Sequence, residues 1–164
     1  MKFLIGLFLM SALNANTPST VDCSKWQSQV DASVVYSGTS PIVSKLNPEE
    51  KIQAISCLME LEGRRGAAKI GGVTRPDVSQ ILPEVSIEIA ALFYIRFIYV
   101  GKWDHCDGIA LMDKGGKLNK SSSVKKVFTS YKKWFEKVKA LGIEEAKAKG
   151  LDPMDDCRDV VRWY

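Results

Sequence analysis

The sequence has little histidine. Only one, His105, occurs among 164 residues. A zinc site takes three or four ligands, and no second imidazole is present to complete one around His105 and its neighbours Asp104 and Cys106. A serine or cysteine nucleophile would also need His105 as its base, and no GxSxG elbow occurs. We therefore expect no metal ion and no catalytic residues of these kinds.

Motifs for redox chemistry and for cofactors are also missing. None of the four cysteines forms a CxxC pair, which disfavours thiol-redox chemistry and zinc binding. The glycine pairs Gly71-Gly72 and Gly115-Gly116 lack the strand and helix context of a phosphate-binding loop, and no GK[ST] follows them. The sequence thus predicts no cofactor.

A hydrophobic run long enough to cross a membrane is absent. The longest apolar stretch, residues 85–100, carries only two charges, Glu88 and Arg96. As a helix it would extend roughly 24 Å, which is short of the ~30 Å hydrocarbon core of a bilayer. We interpret it as a buried helix around which the other segments pack, because a helix that is apolar on most sides needs neighbours on most sides.

The N-terminus resembles a secretory signal peptide. Lys2 is followed by an apolar run from Phe3 to Met10, and then by small and polar residues up to Ala15. We expect residues 1–15 to be removed and residues 16–164 to form a single domain. The location would then be periplasmic or secreted, without stable membrane insertion after cleavage.

An even number of cysteines in an exported chain predicts disulfides. Four cysteines allow three connectivities. If the first two helices are antiparallel, Cys23 lies near Cys57, which leaves Cys106 for Cys157. We expect these two disulfides.

Apolar spacing and capping residues predict helices over residues 24–36, 48–62, 85–100, 124–141 and 143–149. Asn47-Pro48-Glu49-Glu50 is a strong start signal, because Asn caps and Pro fits the first helical position. Glycines follow several of these segments. We predict an all-α fold: a single-domain bundle of about five helices around residues 85–100, stapled by two disulfides.

Two basic segments are candidate contact surfaces. Residues 64–76 read as a long loop, and long ordered loops are often functional. The segment 124–141 has one apolar and one lysine-rich face. That face has no arginine and no interleaved aromatic residue, so we expect no nucleic acid as partner. A flexible spacer and a solvated face are the alternatives. The candidate binding residues are Arg64, Arg65, Lys69, Arg75, Lys125, Lys132 and Lys133.

The exported, helical and cofactor-free profile favours a binding protein over an enzyme. This profile resembles that of the small periplasmic immunity proteins that bacteria keep against cell-wall-degrading toxins. The resemblance implies a protein partner, a toxin enzyme whose active site is occluded. Two alternatives stay open: a small exported hydrolase that uses carboxylates, with Glu88 as the candidate acid, and a structural or adaptor subunit of an envelope assembly. For Glu88 itself we predict a structural role, because a carboxylate in an apolar helix needs a partner elsewhere.

Overall fold

The computed structural model describes residues 22–31, 45–68, 85–101 and 109–164. Within these ranges the order of elements is α1 (Ser24–Asp31), α2 (Pro48–Met59), α3 (Ile87–Val100), β1 (Leu111–Asp113), α4 (Ser121–Leu141), α5 (Ile143–Ala148) and β2 (Val161–Trp163). The proposed signal peptide lies outside the described residues. So do His105, Cys106 and the predicted contact residues Lys69 and Arg75.

The start of α2 follows the capping signal in the sequence. The Asn47 side chain accepts a hydrogen bond from the Glu50 backbone N–H, and the Glu50 carboxylate accepts one from the Asn47 N–H, both at 2.9 Å. This reciprocal pair satisfies two backbone donors that a helix start leaves free. α2 ends at Met59 and continues as turns to Gly63, where φ is +76°.

The predicted central helix is confirmed as α3. Nine of its 14 residues are buried, and it contacts α1, α2 and α4. Gly101 ends it in the left-handed conformation with φ +81°, which costs glycine little because it has no Cβ. Contact with several neighbouring elements explains why the segment is apolar on most sides.

The amphipathic pattern of α4 is also confirmed. Its apolar stripe is buried and includes Phe128, Tyr131 and Trp134, whereas the lysines lie on the exposed side. The Trp134 ring contacts Tyr99 of α3 edge to face, with 4.7 Å between ring centroids. The helix begins at Ser121, three residues before the predicted start, and the preceding residue, Lys120, is extended and makes no side-chain capping hydrogen bond.

The prediction of an all-α fold is wrong. β1 and β2 form a two-stranded antiparallel sheet that pairs Leu111 with Trp163 and Asp113 with Val161. Each strand has three residues, too few for an alternating pattern to be visible in the sequence. The pairing carries the C-terminal segment back onto the core, where Trp163 packs against Phe93 at 6.0 Å between ring centroids.

Of the two predicted disulfides, the described residues contain one. Cys23 and Cys57 are bonded and join α1 to α2, as predicted. Cys157 instead carries a free, buried thiol, with its Sγ 3.9 Å from the Met154 Sδ, so its predicted bond to Cys106 is wrong. Cys157 lies in the last turn before β2 and packs into the hydrophobic core, so its sulfur serves as an apolar packing group.

Candidate functional site

The segment that leaves α2 is held in place by backbone hydrogen bonds. The Leu61 N–H donates to the Leu58 carbonyl at 3.1 Å, and the Arg64 N–H donates to the Leu61 carbonyl at 3.0 Å. Leu61 itself is buried in the core. The chain therefore reaches Arg64 along a fixed path. We call residues 62–66 the arginine turn, after Arg64 and Arg65 within it.

A carboxylate of the central helix holds the first part of the arginine turn. The Gly63 N–H donates a hydrogen bond of 3.0 Å to Glu88 Oε2 in the first turn of α3. A bond to an ionised acceptor is stronger than a neutral one. Glu88, the acid considered for hydrolysis, thus has a backbone partner next to the two arginines. This contact favours a structural role for its carboxylate.

A short antiparallel pairing holds the residues that follow the arginine turn. The Ile87 N–H donates to the Gly66 carbonyl at 3.0 Å, and the Ala68 N–H donates to the Val85 carbonyl at 2.8 Å. Gly66 has φ +125°, and a Cβ there would lie 3.3 Å from Ile87 Cδ1. Glycine therefore suits this position on both backbone conformation and space. The arginine turn is anchored to α3 on both sides.

Arg64 and Arg65 are both exposed between these anchors. Neither forms an ion pair with another described residue. The nearby acids are already engaged: Glu62 pairs with Lys132 of α4, and Glu60 accepts a hydrogen bond of 3.2 Å from Gln27. Two exposed guanidinium groups thus have no carboxylate partner among the residues that the structure describes.

The ion pair between Glu62 and Lys132 joins the arginine turn to α4. The described start of the loop, residues 64–68, and the lysine face were predicted separately as contact surfaces, and this ion pair brings them together at one corner of the molecule. Lys125 is exposed seven residues before Lys132, about 10.5 Å along the helix axis, and has no ion pair with a described residue. It extends the basic surface away from this corner.

Lys133 belongs to a different neighbourhood. Its Nζ lies 2.9 Å from Asp156 Oδ2 in the turn before β2. The hydrogen bond from Lys133, together with its charge, lowers the pKa of Asp156 below the ordinary value. This lysine is thus directed at an acid of its own chain. Lys132 and Lys133 thus each pair with an acid of their own chain, whereas Lys125 has no ion pair with a described residue.

A surface groove of about 560 Å³ lies beside the sheet, with both basic and acidic side chains around it. Two of the five charged side chains have partners among the described residues. Asp113 accepts hydrogen bonds from the Gly115 and Lys117 N–H groups at 2.9 Å, and Arg158 pairs with acids of the preceding turn. The groove was not foreseen, because its walls come from two distant segments. It is lined by Met112, Asp113, Lys114, Gly116, Arg158, Asp159, Val160, Val161 and Arg162.

Among the residues that the structure describes, no group of three or more His, Cys, Asp or Glu side chains is placed to hold a metal ion. In the same part of the chain, none of the helices combines the length and the apolar character needed to cross a bilayer.

Arg64 and Arg65 could be selected from the sequence, but the groups that hold them could not. Glu62 was not considered as a contact, whereas Glu88 was expected to be structural, with a catalytic role as the alternative. The sequence signal for the structural role of Glu88 was its position in an otherwise apolar helix, because a carboxylate there needs a partner elsewhere in the fold. Its partner proved to be a backbone N–H, which a search for basic side chains would miss.

Comparison of the chain with family models, with curated proteins and with solved structures finds no match.

Proposed function

We propose that this protein is an exported inhibitor that binds an enzyme and occludes its active site, as an immunity protein does against a toxin enzyme. The proposed location is the periplasm or the extracellular space. The bond between Cys23 and Cys57 is compatible with such an oxidising compartment.

The observation that carries the proposal is the arginine turn. Two exposed arginines stand between hydrogen bonds that fix the backbone on either side. A segment that is already ordered loses little conformational entropy on binding, so more of its interaction energy appears as affinity. Arginine is also enriched at the energetic centres of protein interfaces. The turn therefore has the properties of a binding element.

The lysines of α4 have a secondary role in this proposal. Lys125 adds positive potential, which speeds the encounter with an acidic partner. Lys132 and Lys133 contribute less, because each lies beside an acid of its own chain. We therefore place the contact surface at the arginine turn, with α4 at its edge.

Enzyme titration tests the proposal. Purified protein with the Cys23–Cys57 disulfide intact is added to enzymes that act on cell-envelope substrates: muramidases, amidases and peptidases. The proposal expects stoichiometric inhibition of at least one of them. If none is inhibited and the protein alone hydrolyses an envelope substrate, with the activity lost in Glu88→Gln, the protein is a hydrolase instead.

A further inference from the structure

We propose that the arginine turn inhibits glycan-cleaving enzymes by pairing Arg64 and Arg65 with the two catalytic carboxylates of such an enzyme. This inference rests on the proposed inhibitory function and names the class of partner. It follows from the charge, the number and the placement of the two guanidinium groups.

The charge of the turn selects a partner that presents carboxylates. Arg64 and Arg65 have no ion pair within the described part of the chain, because Glu62 pairs with Lys132 and Glu60 bonds to Gln27. A guanidinium binds a carboxylate through two parallel N–H···O bonds, which a lysine ammonium cannot reproduce. Arg64 and Arg65, which lack a carboxylate partner among the described residues, can therefore each bind a carboxylate of another molecule.

The number of arginines points to a pair of carboxylates in one cleft. Most glycan-cleaving enzymes act through two acids, ~5–5.5 Å apart in retaining enzymes and ~6.5–9.5 Å apart in inverting ones. Neighbouring Cα atoms such as those of Arg64 and Arg65 lie ~3.8 Å apart. The long side chains let their guanidinium groups reach either spacing. Enzymes that act through a metal ion or a serine nucleophile lack this pair of acids in the same arrangement.

The placement of the turn suits entry into a cleft. The Glu88 bond to the Gly63 N–H lies before the arginines, and the bonds joining Gly66 to Ile87 and Ala68 to Val85 lie after them. The backbone between these bonds is exposed. Glu88 is therefore a positioning residue: it holds the turn without touching the partner.

The test uses retaining and inverting muramidases as probes, with a zinc amidase for comparison. Inhibition constants are measured for the parent protein, for Arg64→Gln, for Arg65→Gln and for the double variant. Removing one member of a buried charge pair should weaken inhibition of a muramidase about 30-fold or more. Arg162→Gln is the matched control, because it removes the same charge from an exposed residue of β2 and should leave inhibition unchanged.

A double-mutant cycle identifies the contact. The catalytic acid of the inhibited muramidase is changed to its amide, and binding is measured with the parent and with each arginine variant. If an arginine contacts that acid, substituting the arginine should weaken binding to the amide variant of the enzyme much less than it weakens binding to the unmodified enzyme. Additive losses would contradict direct pairing. Arg64→Lys and Arg65→Lys, which keep the charge, should restore only part of the inhibition.

The remaining outcomes separate this inference from the proposed function. Equal inhibition of a muramidase by the parent and the double arginine variant would overturn the inference and leave the inhibitory function standing. Inhibition of the zinc amidase alone would do the same. If no enzyme is inhibited, both proposals fail. Thermal unfolding of each variant shows whether a loss of inhibition reflects a loss of fold.

Discussion

The arginine turn and the sheet end, which comprises residues 109–118 and 150–164, both carry basic side chains close to acids. At the sheet end several of these charges pair with one another: Arg158 lies 3.0 Å from Asp152 and 3.2 Å from Asp155, and Lys133 of α4 pairs with Asp156 there. At the arginine turn the acids instead bond to Lys132 and to a backbone N–H, and both exposed arginines have no ion pair with a described residue.

This difference shows that the number of basic residues does not identify a contact surface. The sheet end and α4 are rich in cations, yet much of their positive charge lies beside an acid of the same chain. Such exposed pairs contribute little to stability, but they reduce the field that a partner meets. A contact surface is better recognised by cations whose neighbouring acids have other partners.

The largest effect is expected on breaking the disulfide, which supports the arginine turn through α2. Cys23 and Cys57 are 34 residues apart, a loop for which the chain-entropy model gives about 4 kcal/mol of stabilisation. Reduction should lower the free energy of unfolding by that order, as measured by urea denaturation. The double variant Cys23→Ser, Cys57→Ser should show no further response to reductant.

Hydrogen exchange measured before and after reduction compares the response of the arginine turn with that of the sheet end. Reduction should speed exchange of the Gly63 amide, which is bonded to Glu88, more than exchange of the Tyr164 amide, which is bonded to Ala110 in the sheet. Equal acceleration at both amides would show that the two regions unfold as one unit.

Alkaline pH should destabilise the protein through residues packed near the sheet end. Burial raises the pKa of Tyr131 above 10.0 and that of the Cys157 thiol above 9.0. Because the folded state holds these protons more tightly, the stabilisation is complete below these ordinary values and is lost as the pH rises above them. Each group should contribute a slope of about 1.4 kcal/mol per pH unit.

Two tyrosine variants check the assignment of that slope. Tyr131→Phe should reduce the loss of stability above pH 10, and it should cost little at neutral pH because the buried Tyr131 hydroxyl has no hydrogen-bond partner within the described ranges. Tyr164→Phe, at a side chain that is 48% exposed, is the control and should leave the slope unchanged. A parent slope retained in Tyr131→Phe would exclude this tyrosine as its source.

Glu88→Gln should affect the arginine turn more than the rest of the fold. The amide keeps an acceptor for the Gly63 N–H but loses the charge that strengthens the bond, a loss of about 1 kcal/mol at this partly exposed site. Urea denaturation measures this loss, and inhibition should weaken in parallel. Glu136→Gln, which removes an exposed acid paired with Lys139, is the control. Normal inhibition by Glu88→Gln would show that the turn does not need this bond.

The smallest effect is expected for Lys133→Gln. Lys133 and Asp156 are both exposed, so the variant should melt at nearly the same temperature as the parent. At low salt, Lys133→Gln should slow association with an inhibited enzyme less than Arg64→Gln does, although both variants lose one positive charge. A larger effect of Lys133→Gln on the association rate would move the contact surface to α4.

Patterns within single segments were enough to predict most of the helices. The Asn47-Pro48 start of α2, the apolar segment that became α3 and the stripe through Trp134 each depend on residues within a few turns of one another. Helical hydrogen bonds and capping are local, so such elements can be recognised from neighbours in the chain. The Cys23–Cys57 bond was predicted because it follows from the packing of two adjacent helices.

The sheet, the free Cys157 thiol and the partners of the charged residues were decided by tertiary structure. β1 pairs with a strand some 50 residues further along the chain, and Glu88 meets Gly63 from another helix. The pairing of Lys132 with Glu62, which takes that acid away from Arg64 and Arg65, joins residues 70 positions apart. Electrostatic and hydrogen-bonding partners depend on distance in space rather than on separation along the chain. The residue types alone therefore predict basic groups on the surface, whereas the fold determines which of these groups have an acid nearby.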